Sequence, residues 1–424
     1  MNKRGSLRER ARRYTNTPLH HPAVSDKEAW QAYWEAQGQL WRTEPEIDAE
    51  RQTYLVERQN IIPNITQGMY PFKDIKLNRA DVEWLLATFD GGRGPISASE
   101  EIARHTRGLD LRGADLRGAD LNRLPLVQIR GGLSIDAWYH ATHKQREAAA
   151  VHLEGANLTG ADLTRASLRS AHLEGADLVY VCLEGTVLHS ANLAGNSTKL
   201  RPANLQHTLM NHETDLQEII LGNNDYGFVR VADVFWGDVN LAVVDWTQVS
   251  MLGDEYAARL RKPRTGRKER RLQAYQTAVR ANRQLASVLQ AQGLNEDAAR
   301  FAYRAQKLQR AVLLQQKKSG SYLFSGFLDL LAGYGYRPRR SFICYLLVVV
   351  AFSLTFYVFG HLPLLPDALV FSLTSFHGRG FFPGLGNQTS LHNPLVVLAA
   401  IEAVIGLFIE ISFIATFTRR FFGS

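Results

Sequence analysis

Between residues 151 and 193 the chain reads VHLEGANLTGADLTRASLRSAHLEGADLVYVCLEGTVLHSANL. Leu153, Leu158, Leu163, Leu168, Leu173, Leu178, Leu183, Leu188 and Leu193 recur every five residues. Ala156, Ala161, Ala166, Ala171, Ala176 and Ala191 stand two before their leucines. A period of five fits neither a helix at 3.6 nor a strand at 2. It fits a chain that turns a corner every five residues and stacks one large and one small inward side chain per step. The register places Leu168 inside and Arg169 outside.

The same spacing begins earlier, at Leu111, Leu116, Leu121 and Leu126, with Ala114 and Ala119 two before their leucines. Residues 127–150 interrupt it and read as an insertion. Val181 and Thr186 replace the small residue, the pattern breaks at Thr198, and it resumes loosely at Leu205. Val234, Val239, Val244 and Val249 look like a closing coil. These residues resemble the pentapeptide-repeat family, with its A-[DN]-L-x-x motif. The resemblance implies a right-handed quadrilateral β-helix over 109–253, with four repeats per coil. Outward carboxylates such as Asp115, Asp120, Asp162 and Asp177 belong to the motif and read as corner residues. Some members of that family mimic DNA and bind gyrase. Residues 109–250 hold 17 Asp+Glu against 11 Lys+Arg, which fits such mimicry, but a chain that ends in membrane helices argues against it.

The chain has 424 residues, a net charge of +8 and two cysteines. That length suits several domains. Cys182 and Cys344 give neither a disulfide framework nor zinc spacing. Neither a Walker loop, a Gly-x-Ser-x-Gly turn nor a cyclic-nucleotide signature stands in the sequence, so no enzyme, catalytic residue, cofactor or metal is expected. The mean hydropathy of −0.20 hides a split, because the long apolar runs lie after residue 340. The start carries Lys3, Arg4, Arg8, Arg10, Arg12 and Arg13 without an apolar core, so it reads as a basic arm and not as a secretory signal. Nothing following it looks like a nucleic-acid reader. Residues 1–108 read as this arm and a small α+β cap on the first coil, with 69–86 a strand followed by a helix capped at Asn78.

Past the solenoid, 254–320 divides into a basic linker and a helical hairpin. Leu272, Tyr275, Val279, Leu285 and Leu289 sit at helical spacing, as do Ala298, Ala302, Ala305, Leu308 and Val312. Gly293 separates the two helices and Asn295 is placed to cap the second. Residues 321–340 are amphipathic and aromatic and end in arginines, which suits an interfacial helix. Their Gly333-Tyr334-Gly335 matches the tripeptide of potassium-channel filters, but no spanning helix or pore helix leads into it.

Residues 341–362 carry no Asp, Glu, Lys or Arg, and 394–417 form a second apolar run. About 20 such residues cross a bilayer core. Arg337, Arg339 and Arg340 precede the first span and Arg419 and Arg420 follow the second, so both ends are expected in the cytoplasm of a bacterial inner (cell) membrane. The loop between the spans contains Asp367, placed to cap a short apolar helix from Ala368 to Leu373. Thr374, Ser375, Phe376, His377, Gly378, Arg379, Gly380 and Phe381 follow. The order of helix, short helix, filter-like turn and helix over 341–420 resembles the two-transmembrane-helix potassium-channel pore family. That resemblance implies a homotetramer with a re-entrant pore loop, a monovalent ion as substrate, and a glycine hinge in the inner helix at Gly406. Glu402, Gly406 and Glu410 share one helix face, and carboxylates facing lipid are expensive, so the stripe is expected to line a pore, the alternative being that both glutamates are protonated or satisfied by interhelical hydrogen bonds. The inserted His377 and the arginine at 379 depart from the family's filter, so potassium selectivity does not carry over.

The expectation is therefore a multidomain membrane protein, ion-channel-like and oligomeric, in contact with lipid. Its cytosolic repeat domain would serve as a scaffold or sensor with a protein partner. The competing reading is a membrane-anchored interaction module without conduction.

Overall fold

The computed structural model describes residues 22–23, 26–92, 94–95, 108–195, 200, 202–219, 221–223, 227–260, 268–360, 364–378 and 394–421. The basic arm before residue 22 and the basic run at 261–267 lie outside the described residues. The chain divides into two compact units, Met1–Gly253 and Asp254–Ser424.

In the first unit the leucine and alanine ladders are the core. Leu158, Leu163, Leu168, Ala161, Ala166 and Ala171 are all 0% exposed. Parallel bridges join His152 to His172, Asn157 to Asp177, Asp162 to Cys182 and Ser167 to Val187. Each pair is twenty residues apart, so one coil holds four pentapeptides. Thr186, one of the larger residues in the small ladder, is also 0% exposed. Its hydroxyl is satisfied because Oγ1 donates to the Leu163 carbonyl of the coil below at 2.7 Å.

Every fifth residue from Gly155 to Gly195 turns a corner with positive φ. Glycine occupies five of these corners, while Arg165, Ser170, Tyr180 and Ser190 occupy the others at φ 57–59°. Such a backbone costs an L-residue about 1–2 kcal/mol, so the ladders hold those corners against local preference.

The insertion is shorter than 127–150. Arg130 still bridges both Asp110 and Ser167, which completes the first coil. Only then does the chain leave the solenoid, after the buried Leu133, for two short helices that are α4 and α5 in chain order, Ile135–His140 and His143–Ala149. Arg169, expected outside, is 6% exposed. Its Nη1 donates to the Leu133 carbonyl at 3.0 Å and to Ser167 Oγ at 2.9 Å. The insertion returns over that corner and covers it, which a register argument had no means of showing.

Among its described residues the N-terminal cap is helical rather than α+β. It consists of α1 (Lys27–Ala36), α2 (Ala49–Gln59) and α3 (Arg79–Gly92), and its extended pieces are isolated bridges, Asn64 to Met69 and Lys76 to Asp115. The capping at Asn78 holds. Its Oδ1 accepts from Asp81 N at 2.9 Å, and Asp81 Oδ2 accepts from Asn78 N at 3.0 Å. Arg79 pins α3 to the solenoid, donating to the carbonyls of Asp120 at 3.2 Å and Asn122 at 3.1 Å. The closing turns after Val234 are built on 3-10 corners, with Val239, Val244 and Val249 buried.

The second unit begins within α6 (Gly253–Leu260). Helices α7 (Lys268–Ala291) and α8 (Asn295–Gln315) pack antiparallel, with Tyr275, Val279, Leu308 and Val312 in their shared core. Gly293 ends α7 at φ 77°. Asn295 does not cap α8; it is already the first helical residue, and Leu294 at the cap position supplies no side-chain bond. Then come α9 (Ser319–Ala332), α10 (Pro338–Gly360), α11 (Leu365–Phe376) and α12 (Pro394–Phe421).

Candidate functional site

Among the described residues, helices α10 and α12 contain the two stretches long and apolar enough to cross a membrane, Arg339–Phe359 with mean hydropathy 2.5 and Pro394–Ala415 with 2.3. Both are poorly covered by their own chain. Leu347 is 63% exposed, Phe359 72%, Phe408 58% and Ile414 62%.

Helix α11 is longer than Ala368–Leu373. It starts at Leu365 with Pro366 in its first turn, and Asp367 lies inside that turn instead of capping it. Pro366 suits this place because the first N–H groups of a helix have no partner to lose. Ala368, Phe371 and Ser372 face α10 and α12. Phe371 meets Phe356 edge to face at 4.7 Å, and Ala368 joins Phe356 and Ala399 in one cluster. Lower down, Phe376 packs with Leu331, Val349 and Ile409, and Tyr345 meets its ring edge to face at 4.9 Å.

Thr374, Ser375 and Phe376 form the last turn of α11 and not an extended filter. Thr374 Oγ1 donates to the carbonyls of Val370 at 3.0 Å and Phe371 at 2.9 Å. Ser375 is 3% exposed and Phe376 1%. His377 follows as the cap, and Gly378 leaves the helix at φ 67°. Arg379, Gly380 and Phe381 lie outside the described residues.

The stripe on α12 does not stand on an open face of the chain. All three of its members meet α11. Glu402 is 0% exposed, and its Oε1 accepts from Ser372 Oγ at 2.5 Å. Ser372 Oγ also lies 3.0 Å from the Val349 carbonyl, so this contact gathers α10, α11 and α12. A Cβ added at Gly406 would stand 2.2 Å from the Phe376 carbonyl oxygen. Gly406 is therefore a contact glycine, where the end of α11 presses against the backbone of α12, and not a free hinge. Glu410 pairs with His377 Nδ1 at the C-terminal end of α11. The physical reason is the same for the three residues. On a helix whose surface is otherwise apolar, a carboxylate or a small residue is accommodated where another element meets it, and α11 meets α12 along this face.

Spacing in the sequence had no access to a second polar centre, because its members come from three helices. Asp329 on α9 is 9% exposed. It accepts from Tyr303 Oη of α8 at 2.9 Å and from Arg310 Nη1 of α8 at 3.1 Å. Arg340 of α10 donates to its Oδ1 at 3.0 Å and to its carbonyl at 2.9 Å. This centre ties the helical hairpin to the base of the first long apolar helix. Gly333-Tyr334-Gly335, which the sequence excluded as a filter, is the tight turn between α9 and α10, all three residues at positive φ.

Comparison with known proteins speaks to the solenoid alone. Residues 152–189 match the family model described as Pentapeptide repeats, in eight copies. No curated protein matches the chain. Among solved structures, the chain is similar to HetL, a pentapeptide repeat protein involved in heterocyst differentiation regulation from the cyanobacterium Nostoc sp. strain PCC 7120. The identity is 23%, with 34% of this chain and 53% of HetL covered and a TM-score of 0.21. The chain thus spans about half the length of that protein. It is also similar to a pentapeptide repeat protein of the Arabidopsis thaliana thylakoid lumen, at 26% identity, with 35% and 78% covered and a TM-score of 0.21. A third likeness is to QnrB1, a plasmid-mediated fluoroquinolone resistance protein, at 13% identity, with 35% and 83% covered and a TM-score of 0.17. The twenty-residue bridge spacing, the buried ladders and the family match agree that this chain carries a pentapeptide-repeat β-helix.

Proposed function

We propose that the protein is an oligomeric, ion-channel-like component of a bacterial inner membrane, with the pentapeptide-repeat domain as its cytosolic scaffold or sensor. The observation that carries this reading is α11, twelve residues long and wedged between two helices of spanning length. At 1.5 Å per residue such a helix covers about 18 Å of a core about 30 Å thick. Its C-terminal end then lies at membrane depth, where irregular backbone is tolerated only inside protein or against a wet cavity. One copy cannot enclose that end; four copies around an axis can. The exposed apolar side chains of α10 and α12 fit the same reading, part of them meeting lipid and part a neighbouring copy.

In this arrangement the Glu402–Ser372 contact and the close approach at Gly406 set how α11 is held. The permeating monovalent ion meets the loop that follows Gly378. Conduction selective for potassium is not proposed, since the loop reads Ser-Phe-His-Gly-Arg-Gly-Phe at 375–381. Native mass measurement in mild detergent tests the assembly, and bilayer recording of the same sample tests conduction. A tetramer with single-channel currents is expected. A monomer or dimer without current would sink the channel reading and leave a hairpin that only tethers the solenoid to the membrane.

A further inference from the structure

The pentapeptide His-Leu-Glu-Gly-Ala occurs twice, at 152–156 and 172–176. The two copies are twenty residues apart, and His152 bridges His172 in the next coil. Equal register on consecutive coils makes the imidazoles stack, with ring centroids 4.7 Å apart and planes within 1°. The same repetition stacks their carboxylates. Glu154 Oε1 lies 3.0 Å from His152 Nδ1, and Glu174 Oε1 lies 3.4 Å from His172 Nδ1. A third carboxylate comes from the insertion, where Glu147 on α5 places Oε2 3.2 Å from His172 Nε2.

From this geometry we infer a binding site for a divalent transition-metal cation of the zinc type, built by His152, His172 and Glu154 across two coils. One ligand atom from each of the three falls within 4.8 Å of the others. A point therefore exists within about 2.8 Å of all three. Reaching the bond lengths of about 2.0–2.2 Å that zinc takes with nitrogen and oxygen requires the two rings to tilt out of their parallel stack, so that both in-plane lone pairs aim at the ion.

Three further observations favour a cation there. The second oxygens, Glu154 Oε2 and Glu174 Oε2, are shielded from solvent and carry no hydrogen bond. Three carboxylates surround two imidazoles, and the guanidinium of the preceding coil, Arg117, is already taken by Asp115 at 2.6 Å. Glu147 on the far nitrogen of His172 is the carboxylate–histidine support that fixes ring orientation at metal sites. Glu174, itself held by Asn192 Nδ2 at 2.6 Å, is placed to complete the set. Two imidazoles among the donors select a zinc-like ion over calcium or magnesium, which take oxygen. The side chains of His152, Glu154 and His172 remain 33%, 30% and 24% exposed, so an ion reaches them from solvent.

The test is calorimetric titration of Zn²⁺ into the full chain, purified in detergent without a polyhistidine tag and stripped with chelator. Visible absorption of bound Co²⁺ serves as a second readout. One ion per chain is expected, with a raised melting temperature. His152→Ala, His172→Ala and Glu154→Gln should each weaken binding about tenfold or more, and Glu147→Gln at least severalfold. His207→Ala, elsewhere on the solenoid, should change nothing. Should a histidine variant fail to fold, Glu154→Gln, which leaves both rings in place, decides the matter. Failure of the wild-type chain to bind Zn²⁺, or full binding by His152→Ala or by Glu154→Gln, would overturn the proposal.

Discussion

Leu168 and Ala166 show how little freedom a ladder leaves to a single residue, since both are 0% exposed. Leu168→Ala is expected to destabilise the solenoid by about 2–5 kcal/mol through lost contact and a residual cavity. Ala166→Leu is expected to cost about 1–3 kcal/mol by overpacking. Circular dichroism melts of the two variants check both, and wild-type stability in either would mean the ladders are misassigned. His189 brings pH into the same fold. It is 8% exposed, and burial first, then the positive charge of Arg169, hold its pKa below the ordinary 6.5, while Glu213 pulls the other way. A depressed folded value means that the unfolded chain takes up the proton more readily. The stability that neutral His189 carries is complete above about pH 6.5 and is lost as pH falls through its folded value. His189→Asn should flatten that part of a melting-temperature profile between neutral and mildly acidic pH. An unchanged slope would assign the acid sensitivity to other groups.

Helix α11 depends on one glycine outside itself. A Cβ at Gly406 would meet the backbone oxygen of Phe376, an atom that cannot swing aside as a side-chain tip does. Gly406→Ala is therefore expected to push α11 and α12 apart and to lower stability in detergent by about 1–3 kcal/mol. A cysteine cross-link between the end of α11 and α12 should report the shift directly, by slower formation in the variant. Wild-type melting and cross-linking in Gly406→Ala would mean that the two backbones are not in contact. The Asp329 centre works at the same scale by another means. There, polar groups of α8 and α10 satisfy one buried carboxylate of α9, so movement of any one of the three helices strips it of partners. Buried pairs broken on one side are strongly destabilising, which makes this junction stiff.

The two compact units imply two unfolding events. One core is aliphatic ladders closed by backbone bridges, and the other is helix packing whose outer surface is apolar. Calorimetry of the full chain should show two transitions. Changing detergent should move only the one belonging to 254–424, and Leu168→Ala only the one belonging to the solenoid. A single transition that responds to both would show that the units fold as one.

Much of this was legible without a structure, and for identifiable reasons. Leu153 to Leu193 repeat in strict register, so the inward residues follow from spacing alone, whereas four repeats per coil came with the family resemblance and is shown by the twenty-residue bridges. The two apolar runs after residue 340 are equally plain, because length and absence of charge are properties of the chain itself. Tertiary structure alone decided what lies against what. Arg169 looked outward by register until the insertion covered it. Glu402, Gly406 and Glu410 share a face in any helix, but only the position of α11 shows that this face meets Ser372, Phe376 and His377. His152 and His172 are twenty residues apart in a sequence that contains thirteen histidines, and only coil stacking sets their rings face to face. Periodicity records which side of an element is apolar. The neighbour that covers that side is set by packing between elements, and the sequence holds that information only through the whole fold.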